Sequence, residues 1–330
     1  MTAEAGPPEE LSDAIVGPLL PERPARGHKG TFGRLLVVAG SLDYAGSALL
    51  VCLAAGRAGA GLVALAVPES LQPLFAAKVV EATTLGLPED DVEEVEPDDA
   101  LARILDHEHD ALVVGPGLRP GLATVELIRR LLAVEEDGAP PAVVDAEALR
   151  SLAAEDGWWE GVHRSCVLTP HTGEFARLRA ASGIEAGADG DLLDDDDARA
   201  AAAADAARRW GQVVVLKGAR SVIAAPDGRL ARATFENPAL ATGGTGDVLS
   251  GTIGALLAQH VPAYDAARLG VFLHGTAGES VRDRLGDAGL LASDLPFEIA
   301  LAAKRLRAAR ARRTAERKLG FLVRPSGSPS

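Results

Sequence analysis

Short apolar runs rich in β-branched residues alternate with Ala- and Leu-rich amphipathic stretches along most of the chain. Six runs have the length and character of buried strands: residues 34–39, 62–67, 111–115, 142–145, 165–168 and 212–217. Parallel strands that are joined by helices are buried on both faces and therefore read as continuous apolar runs. The alternation predicts an α/β fold with a mostly parallel central sheet and helices on both of its faces.

A hairpin and two long helices follow the last of these strands. Residues 221–225 and 229–233 flank Pro226-Asp227-Gly228, which is a turn sequence between two strand-like segments. Residues 244–259 and 263–284 then have the composition of helices. We therefore expect a late β-hairpin that adds an antiparallel edge to the sheet.

Length and composition favour a single large domain. The 330 residues, 47% of them hydrophobic, are sufficient to bury a sizeable core. The formal net charge of −14 argues against nucleic acid or an anionic membrane as a partner. The longest apolar stretch, residues 48–67, is interrupted by Arg57 and by glycines, so we expect no membrane span.

The cysteines and the N-terminal segment indicate the compartment. Cys52 and Cys166 are far apart in the sequence, which predicts two reduced core thiols and no metal or redox motif. The first residues are acidic and Pro-rich and lack the apolar segment of a secretory signal. We therefore expect a cytoplasmic protein.

Three segments have the composition of peripheral chain. Residues 1–26 are Pro-rich, residues 184–197 are rich in Gly and Asp, and residues 319–330 are rich in Gly, Ser and Pro. Residues 301–319 form a basic, Ala-rich predicted helix to which we assign no function. The expected organisation is a flexible extension at 1–26, a main domain at 27–300, and a basic helix with a flexible tail at 301–330.

The segment from Asn237 to Gly254 contains the strongest functional signal. Gly243, Gly244 and Gly246 allow the backbone to curl so that several N–H groups point at one anion at the start of a helix. Asp247 follows in the first turn of that helix. The pattern predicts a phosphate-binding turn with a carboxylate beside it, although the same carboxylate alone would be an ordinary helix cap.

Other motifs follow the predicted strands. They are Gly40-Ser41 with Ser47, Gly115-Pro116-Gly117-Leu118, Asp145, Thr169-Pro170-His171-Thr172-Gly173-Glu174, and Lys217-Gly218-Ala219-Arg220-Ser221. Each is compatible with a simple cap or turn. Ligands of open α/β sheets bind where parallel strands end, and these motifs all lie at that end. Together they favour one site with groups for a substrate, a hydrated Mg²⁺ and nucleotide phosphates.

These motifs resemble those of the ATP/ADP-dependent NAD(P)H-hydrate dehydratases, a family with the ribokinase-like fold. The resemblance spans residues from about 26 to 300 and rests on the motifs above and on a further set: His28-Lys29-Gly30, Gly59-Ala60-Gly61-Leu62-Val63, Val144-Asp145-Ala146, the run 241–249, His274-Gly275, and Ala292-Ser293-Asp294-Leu295. It implies repair of hydrated NADH and NADPH (NADHX and NADPHX, S epimer). A nucleotide's terminal phosphoryl group would pass to the ring hydroxyl, and phosphate would then leave.

The resemblance also implies a role for each matched residue. Asp247 would be the general base, and the backbone of Gly244, Thr245 and Gly246 would stabilise the phosphoryl group. The residues implied to contact the hydrated cofactor are Ser47, Gly117, His171 and Asp247. Those implied to hold ADP or ATP are Lys217, Gly218, Ala219, Arg220, Ser221 and Gly246. Mg²⁺ would bridge phosphates, with Glu174 as a partner through water.

The chain departs from the family pattern at three positions. Ser47 stands where alanine is common, Arg119 where glycine is usual, and Thr172 where proline is usual. Arg119 would either narrow the substrate mouth or add a phosphate contact. The resemblance further implies a homo-oligomer, with a tetramer and the helix at 48–61 as candidates, and a separate epimerase as functional partner. A stand-alone dehydratase favours ADP as donor.

Two other functions remain open at this point. A Gly-Thr-Gly-Asp turn serves any hydroxyl acceptor, so a small-molecule kinase of the hydroxyethylthiazole or hydroxymethylpyrimidine type is the first alternative. The motifs at 28–33 and 169–174 argue against it. The second alternative is a catalytically silent NAD(P)-binding sensor, against which the intact Asp247 argues.

Overall fold

A ten-stranded sheet forms the centre of the fold. The computed structural model describes residues 6–91, 93–135, 139–184 and 195–322. The strands are β1 (Glu9–Glu10), β2 (Arg34–Val38), β3 (Leu62–Pro68), β4 (Thr83–Leu87), β5 (Glu89–Asp91), β6 (Glu94–Val95), β7 (Ala111–Val114), β8 (Ala142–Val144), β9 (Cys166–Leu168), β10 (Val213–Leu216), β11 (Val222–Ala224) and β12 (Leu230–Arg232). The helices are α1 (Asp13–Val16), α2 (Ala45–Ala58), α3 (Gln72–Ala76), α4 (Pro97–Asp106), α5 (Leu122–Leu132), α6 (Glu147–Leu152), α7 (Thr172–Ala181), α8 (Asp196–Trp210), α9 (Thr245–Ala258), α10 (Ala263–Leu285) and α11 (Leu295–Leu322).

Most strands of this sheet are parallel. The order is β1-β12-β11-β10-β9-β8-β7-β2-β3-β4, and all neighbours from β10 to β4 run in the same direction. Strand β11 is antiparallel to β10 and β12 and forms the late hairpin with β12. The parallel sheet and the hairpin are confirmed, and each of the six predicted strands matches within one residue at either end.

Alternate residues of the strands face two separate cores. Leu35 and Val37 of β2 point to the side of α2, α9, α10 and α11, whereas Leu36 and Val38 point to the side of α4 to α8. All four side chains are almost fully buried. Burial on both faces is the physical reason for the continuous apolar strands, since neither face of a parallel sheet meets water.

Helix α9 lies unusually close to its neighbours. A Cβ atom at Gly251 would lie 2.3 Å from the carbonyl oxygen of Val51 in α2, and one at Gly254 would lie 2.4 Å from Cγ2 of Val113 in β7. Only glycine therefore permits this packing. The two contacts fix α9 between α2 and the sheet, and so fix the position of its N-terminus.

The N-terminal segment is part of the fold, and its predicted mobility is wrong for the residues that are described. Strand β1 pairs in parallel with β12, and the N–H of Leu11 donates to the carbonyl of Arg232 across 2.9 Å. Leu11, Val16 and Leu20 are at most 4% exposed. These apolar side chains bury enough surface to hold a segment whose composition otherwise suggests a tail.

The C-terminal basic helix is also integrated, which corrects the boundary at residue 300. Helix α11 begins at Leu295, and Leu306 is 2% exposed within the same core as α10. Arg310 donates to the carbonyl of Leu20 across 3.1 Å. The predicted boundary thus falls inside one helix whose first half packs on the domain.

Two other predicted segments are only partly described. Residues 185–194 and 323–330 lie outside the described residues. Asp195 caps α8 by accepting hydrogen bonds from the N–H groups of Asp197 and Ala198. The end of the segment predicted at 184–197 is therefore helical.

The two cysteines are free and buried, as predicted. Burial raises the pKa of Cys52 and of Cys166 to about 12, so both remain thiols at neutral pH. Within the described ranges, no helix is both long enough and apolar enough to cross a lipid bilayer.

Candidate active site

The predicted motifs converge at the carboxyl-terminal edge of the parallel strands. The N–H of Gly40, after β2, donates to the carbonyl of Pro116, after β7, across 2.9 Å. Asp145 follows β8, and His171 and Lys217 form an isolated parallel bridge beyond β9 and β10. Five strand ends therefore build one site. The sequence predicted that these motifs share one end of the sheet but not that they meet.

The N-terminus of α9 points into this edge. Gly244 is its N-cap and has a φ of +89°, a conformation that favours glycine, and no side chain caps the helix. In the part of the chain that is described, the N–H groups of Gly246 and Asp247 have no hydrogen-bond acceptor. Free N–H groups at the positive end of a 14-residue helix form a site for a phosphate.

Asp247 lies in the first turn of α9, beside that anion site. Burial raises its pKa to about 6, while a hydrogen bond from Ser47 and the charge of Lys217 act in the opposite direction. A carboxyl group with this pKa is ionised at neutral pH and is a much better proton acceptor than an exposed aspartate. Its position and its pKa fit a general base.

Gly117 completes the wall on the Ser47 side. It has a φ of +66°, and a Cβ atom there would lie 2.6 Å from the carbonyl oxygen of Tyr44 and 2.9 Å from Cβ of Ser47. A side chain at this position would push the start of α2 away from Asp247. The structure thus brings the predicted substrate residues Ser47, Gly117 and Asp247 together.

A buried charge network lies beneath the anion site. Lys217 Nζ donates to Asp145 Oδ1 across 2.8 Å and lies 3.8 Å from Glu174 Oε2. The Ser250 hydroxyl donates to Asp145 Oδ2 across 2.6 Å. Burial opposes the charge of Lys217, but the carboxylates of Asp145, Glu174 and Asp247 outweigh it and raise the pKa of Lys217. The ammonium group therefore stays charged.

Lys217 is also close to the phosphate-binding turn. A Cβ atom at Gly246 would lie 3.5 Å from Lys217 Nζ. The ammonium charge is thus available to an anion held by the backbone of that turn. Ser250 had no predicted role, because only the fold places its hydroxyl beside Asp145.

His171 and Glu174 form a capping box at the start of α7. His171 Nδ1 accepts from the N–H of Gly173 across 3.0 Å, and the N–H of His171 donates to Glu174 Oε2 across 2.8 Å. The imidazole is more than half exposed, so its outer face remains open to a ligand. Burial raises the pKa of Glu174, which Lys217 partly offsets. The capping alternative considered above is therefore correct for both residues, and it leaves a ligand contact possible.

A cavity of about 560 Å³ lies on the other side of the α9 N-terminus. Its lining includes Lys217, Gly218, Ala219, Ser221 and Gly246, of which Lys217 and Ser221 have polar side chains. Its apolar lining includes Phe235, Leu240, Leu249 and Val271. An elongated ligand with a flat apolar ring and an anionic end fits this combination.

Arg220 does not line this cavity, in contrast to its predicted neighbours. Its guanidinium lies 2.6 Å from Glu10 Oε1 and 3.0 Å from Asp196 Oδ2. A φ of +50° at Arg220 accompanies this orientation. Arg220 thus joins the hairpin to β1 and α8.

His274 is a cavity residue to which no role was assigned beforehand. Its Nε2–H donates to the carbonyl of Thr245 across 2.9 Å, because a carbonyl oxygen can only accept. Burial lowers the pKa of His274 to about 4, so the ring is neutral. The His274-Gly275 motif pointed to this residue in the sequence. Only the structure shows that the His274 side chain, on α10, supports the first turn of α9.

The donor groups define how a divalent cation could be accommodated. In the described residues, no three His, Cys, Asp or Glu side chains converge on a metal site. The hard oxygen atoms of Glu174 and Asp145 already contact the Lys217 ammonium group. This donor set fits a hydrated Mg²⁺ that is carried by phosphates and contacts Glu174 through water.

The sheet, its flanking helices and the late hairpin define an α/β protein with a ribokinase-like architecture. A model of the family described as NAD(P)H-hydrate dehydratase matches residues 35–316. The chain belongs to this NAD(P)H-hydrate dehydratase family.

Individual relatives agree with this assignment. The chain is 43% identical over 278 residues to the bifunctional NAD(P)H-hydrate repair enzyme Nnr of Moorella thermoacetica, covering 84% of this chain and 50% of that protein. It therefore spans about half the length of the bifunctional relatives that it matches. It is 38% identical to the ADP-dependent (S)-NAD(P)H-hydrate dehydratase of Neisseria meningitidis, covering 85% of this chain and 86% of that protein.

A solved structure has the same fold. The ADP/ATP-dependent NAD(P)H-hydrate dehydratase of Bacillus subtilis, co-crystallised with ATP and Mg²⁺, superposes with a TM-score of 0.74 at 31% identity. The match covers 90% of this chain and 98% of that chain. The predicted ribokinase-like fold is therefore confirmed.

Proposed function

We propose that the chain catalyses the nucleotide-dependent dehydration of the S epimer of NADHX and NADPHX to NADH and NADPH. One observation carries the proposal. The carboxyl group of Asp247, with a pKa raised to about 6, lies in the same turn of α9 as the free N–H groups. That turn borders a cavity large enough for a nucleotide. A base, an anion site and a donor pocket are the parts that a hydroxyl-directed phosphoryl transfer needs.

In the first step, the ring hydroxyl of the hydrated cofactor attacks the terminal phosphorus of ADP or ATP. Asp247 accepts the hydroxyl proton while the new O–P bond forms and the bond to the AMP or ADP leaving group breaks. The N–H groups of Gly246 and Asp247 and the Lys217 ammonium stabilise the charge on the phosphoryl oxygens. The proposed role of Thr245 is to shape this turn, since its N–H donates to the carbonyl of Thr242 and its carbonyl accepts from His274.

In the second step, phosphate leaves the ring with the electron pair of the C–O bond. The neighbouring ring carbon gives up a proton to the departing phosphate or to water, and the electron pair of that C–H bond forms the double bond. The carbon–carbon double bond of the reduced nicotinamide is thereby restored, and water has been removed in net terms. Phosphate is a far better leaving group than hydroxide, which is why the nucleotide is consumed. Ser47, Gly117 and His171 are the proposed ring contacts. Ser47 hydrogen-bonds to Asp247, Gly117 packs against Ser47, and the His171 side chain is more than half exposed, which supports this proposal.

Lys217, Gly218, Ala219, Ser221 and Gly246 are the proposed nucleotide contacts, since all of them line the cavity. Arg220 remains a nucleotide contact only if its ion pairs with Glu10 and Asp196 exchange on binding. ADP is the proposed donor, because the relative from N. meningitidis that matches over most of its own length is named ADP-dependent.

We propose that Mg²⁺ enters with the nucleotide phosphates. The pocket is acidic, because the Lys217 ammonium group, among the described residues, faces the carboxyl groups of Asp145, Glu174 and Asp247. Bound phosphates would add further negative charge. Mg²⁺ supplies charge neutralisation of the phosphates when bound. Glu174 would hold one of its water ligands.

The test is recovery of the reduced-nicotinamide absorbance from hydrated NADH and hydrated NADPH with Mg²⁺ and either ADP or ATP. The expected products are the reduced cofactor, free phosphate, and AMP or ADP. A stable phosphorylated acceptor would identify a kinase instead, and an unchanged nucleotide would identify a binding module. No recovery from correctly folded protein with either donor would refute the dehydratase proposal.

Two partner proposals accompany the activity. A site that accepts one epimer leaves the other unrepaired, so we propose functional coupling to an epimerase that interconverts the two.

We also propose a homo-oligomer, with a tetramer as candidate, in which a groove of about 460 Å³ beside α2 is covered. Leu53 and Val80 in this groove are 38% and 87% exposed. Light scattering measures the mass directly, and a monomer at micromolar concentration would contradict the second proposal.

A further inference from the structure

Arg119 lies at the substrate side of the site, two residues after Gly117 in the turn between β7 and α5. Its side chain is 49% exposed, and its Nη1 lies 3.5 Å from Glu93 Oε2. The Thr124 hydroxyl donates to the carbonyl of Arg119 across 2.7 Å and fixes the backbone of the turn. The guanidinium is thus held at the rim of the site with a solvent-facing side.

Glu93 connects this arginine to the turn that follows β2. The Glu93 carboxylate is only 8% exposed. Its Oε1 accepts a hydrogen bond from the N–H of Leu42 across 3.0 Å. One buried carboxylate therefore holds both Arg119 and the Leu42 turn at the edge of the sheet where Asp247 lies.

Exposed apolar side chains flank the same rim. Leu42 and Tyr44 are 62% and 57% exposed, and the carbonyl of Tyr44 packs against Gly117. Large side chains of this kind give a flat ring an apolar surface. The apolar surface suits a base or ring of a nucleotide, and the neighbouring guanidinium suits a phosphate group.

We propose that Arg119 is a specificity-determining residue that binds a phosphate group of the hydrated dinucleotide. The inference rests on the proposed function, because it takes that dinucleotide as the substrate. With its nicotinamide ring at Asp247, the substrate must extend past Gly117 and out of the site. It carries a bridging diphosphate, and in NADPHX also a ribose phosphate.

Charge favours this assignment. Asp145, Glu174 and Asp247 make the interior of the site acidic, so a polyanionic substrate gains from a cation placed at the rim. A guanidinium also matches a phosphate through two parallel hydrogen bonds, which an ammonium group cannot do. The arginine thus supplies an affinity that the usual glycine cannot.

The experiment is a fluorescence titration of the protein with NADH and with NADPH, which are the reaction products and need no turnover. The variants are Arg119→Gln, Arg119→Lys and the matched control Arg103→Gln, an exposed arginine on α4. We expect Arg119→Gln to weaken binding about tenfold, the loss of one charged hydrogen-bonded contact. Arg119→Lys is expected to weaken it less, and the control and the affinity for ADP are expected to stay unchanged.

The two ligands distinguish the two phosphate sources. A loss with NADPH alone assigns Arg119 to the ribose phosphate, and an equal loss with both assigns it to the diphosphate. Equal affinities of the wild type and Arg119→Gln overturn the proposal, and so does a wild type that binds neither ligand. A wild type that binds through Arg119 but restores no reduced cofactor would refute only the proposed function.

A second variant separates the loss of Arg119 from the charge that it leaves behind. In Arg119→Gln, the buried Glu93 carboxylate loses its partner and could repel the ligand. Glu93→Gln combined with Arg119→Gln removes that charge and keeps an oxygen to accept from the Leu42 N–H. The double variant should bind as weakly as Arg119→Gln, and wild-type binding by it would overturn the proposal.

Discussion

Lys217 Nζ and Asp145 Oδ1 lie 2.8 Å apart and join the ends of β10 and β8 across the intervening strand β9. Asp145 also accepts from Ser250 on α9, so the cation is fixed relative to the helix that carries Asp247. The sheet thereby presents a charged ammonium to the phosphate-binding turn without any rearrangement. In the proposed reaction, such preorganised charge would stabilise the phosphoryl group in the transition state.

Replacement of Lys217 by methionine should both inactivate and destabilise the protein. Asp145 and Glu174 would lose their cation, which we expect to lower the free energy of unfolding by about 3–5 kcal/mol. Urea denaturation measures this loss. The double variant Asp145→Asn, Lys217→Met should regain a large part of the stability but none of the activity. Equal stability of the single and double variants would show that the pair is not coupled.

Replacement of Asp247 by asparagine should lower turnover by about 10²–10⁴-fold, the typical contribution of a general base. Binding of ADP should persist, because the α9 backbone is unchanged. Asp205→Asn, on the exposed face of α8, is the matched control and should retain full activity. Substantial recovery of the reduced-nicotinamide absorbance by Asp247→Asn would exclude Asp247 as the base.

The Asp247→Asn substitution should also make the protein more stable above pH about 6. The native pKa of Asp247 is about 6, above its ordinary value of 3.8, so ionisation disfavours the native state as pH rises through this interval. Above pH about 6, asparagine should therefore add about 2 kcal/mol to the free energy of unfolding, after a discount for partial solvent screening. The gain should vanish near pH 4, where native Asp247 is protonated. A gain that does not depend on pH would contradict this cause.

The pH profile of kcat/KM should report the ionisation of Asp247. Below pH about 6, the base is protonated, and kcat/KM should fall by about tenfold per pH unit. The hydrogen bond from Ser47 lowers the pKa of Asp247. Ser47→Ala should therefore raise that pKa and move the acid limb to higher pH. An unmoved limb in this variant would show that the limb belongs to another group.

A methyl group at Gly275 should weaken nucleotide binding. Its Cβ atom would lie 2.3 Å from Cδ2 of Phe235, and that ring lines the 560 Å³ cavity, so the ring must shift. We expect Gly275→Ala to raise the KM for ADP several-fold and to cost about 1–3 kcal/mol of stability. Gly56→Ala is the control, since its Cβ meets nothing within 4 Å on α2. Equal KM values in both variants would exclude Phe235 from nucleotide binding.

The parallel strands were predictable because burial on both faces leaves a continuous apolar signature in the sequence. Strand β4, at the edge of the sheet, was not predicted. Its sequence, Thr-Thr-Leu-Gly-Leu, is polar and contains Gly86, and most of its residues are only partly buried. An edge strand needs less apolar surface, so its pattern is weak. Strand β1 was missed because two glutamates in a Pro-rich segment carry no strand signal at all.

The candidate site was predictable where backbone conformation determines which residue type is possible. Gly244 in the α9 turn and Gly117 both have a positive φ and close neighbours, so local backbone geometry requires glycine at each position. The ion pair of Arg220 with Glu10 was not predictable, because Glu10 is 210 residues away and only the folded sheet brings the two together. The contacts of Ser250 with Asp145 and of His274 with Thr245 depend in the same way on helical phase and on packing, which a local motif does not encode.

The pairing of β1 with β12 also orders events during synthesis. The Glu10–Arg232 contact joins residues 222 positions apart, and a ribosome adds about 5–20 residues per second. The apolar side chains of Leu11, Val16 and Leu20 must therefore wait roughly 10–45 s for strand β12, and longer for helices α10 and α11, which follow it in the sequence. Until then these apolar side chains stay exposed on the nascent chain, where a chaperone can bind them.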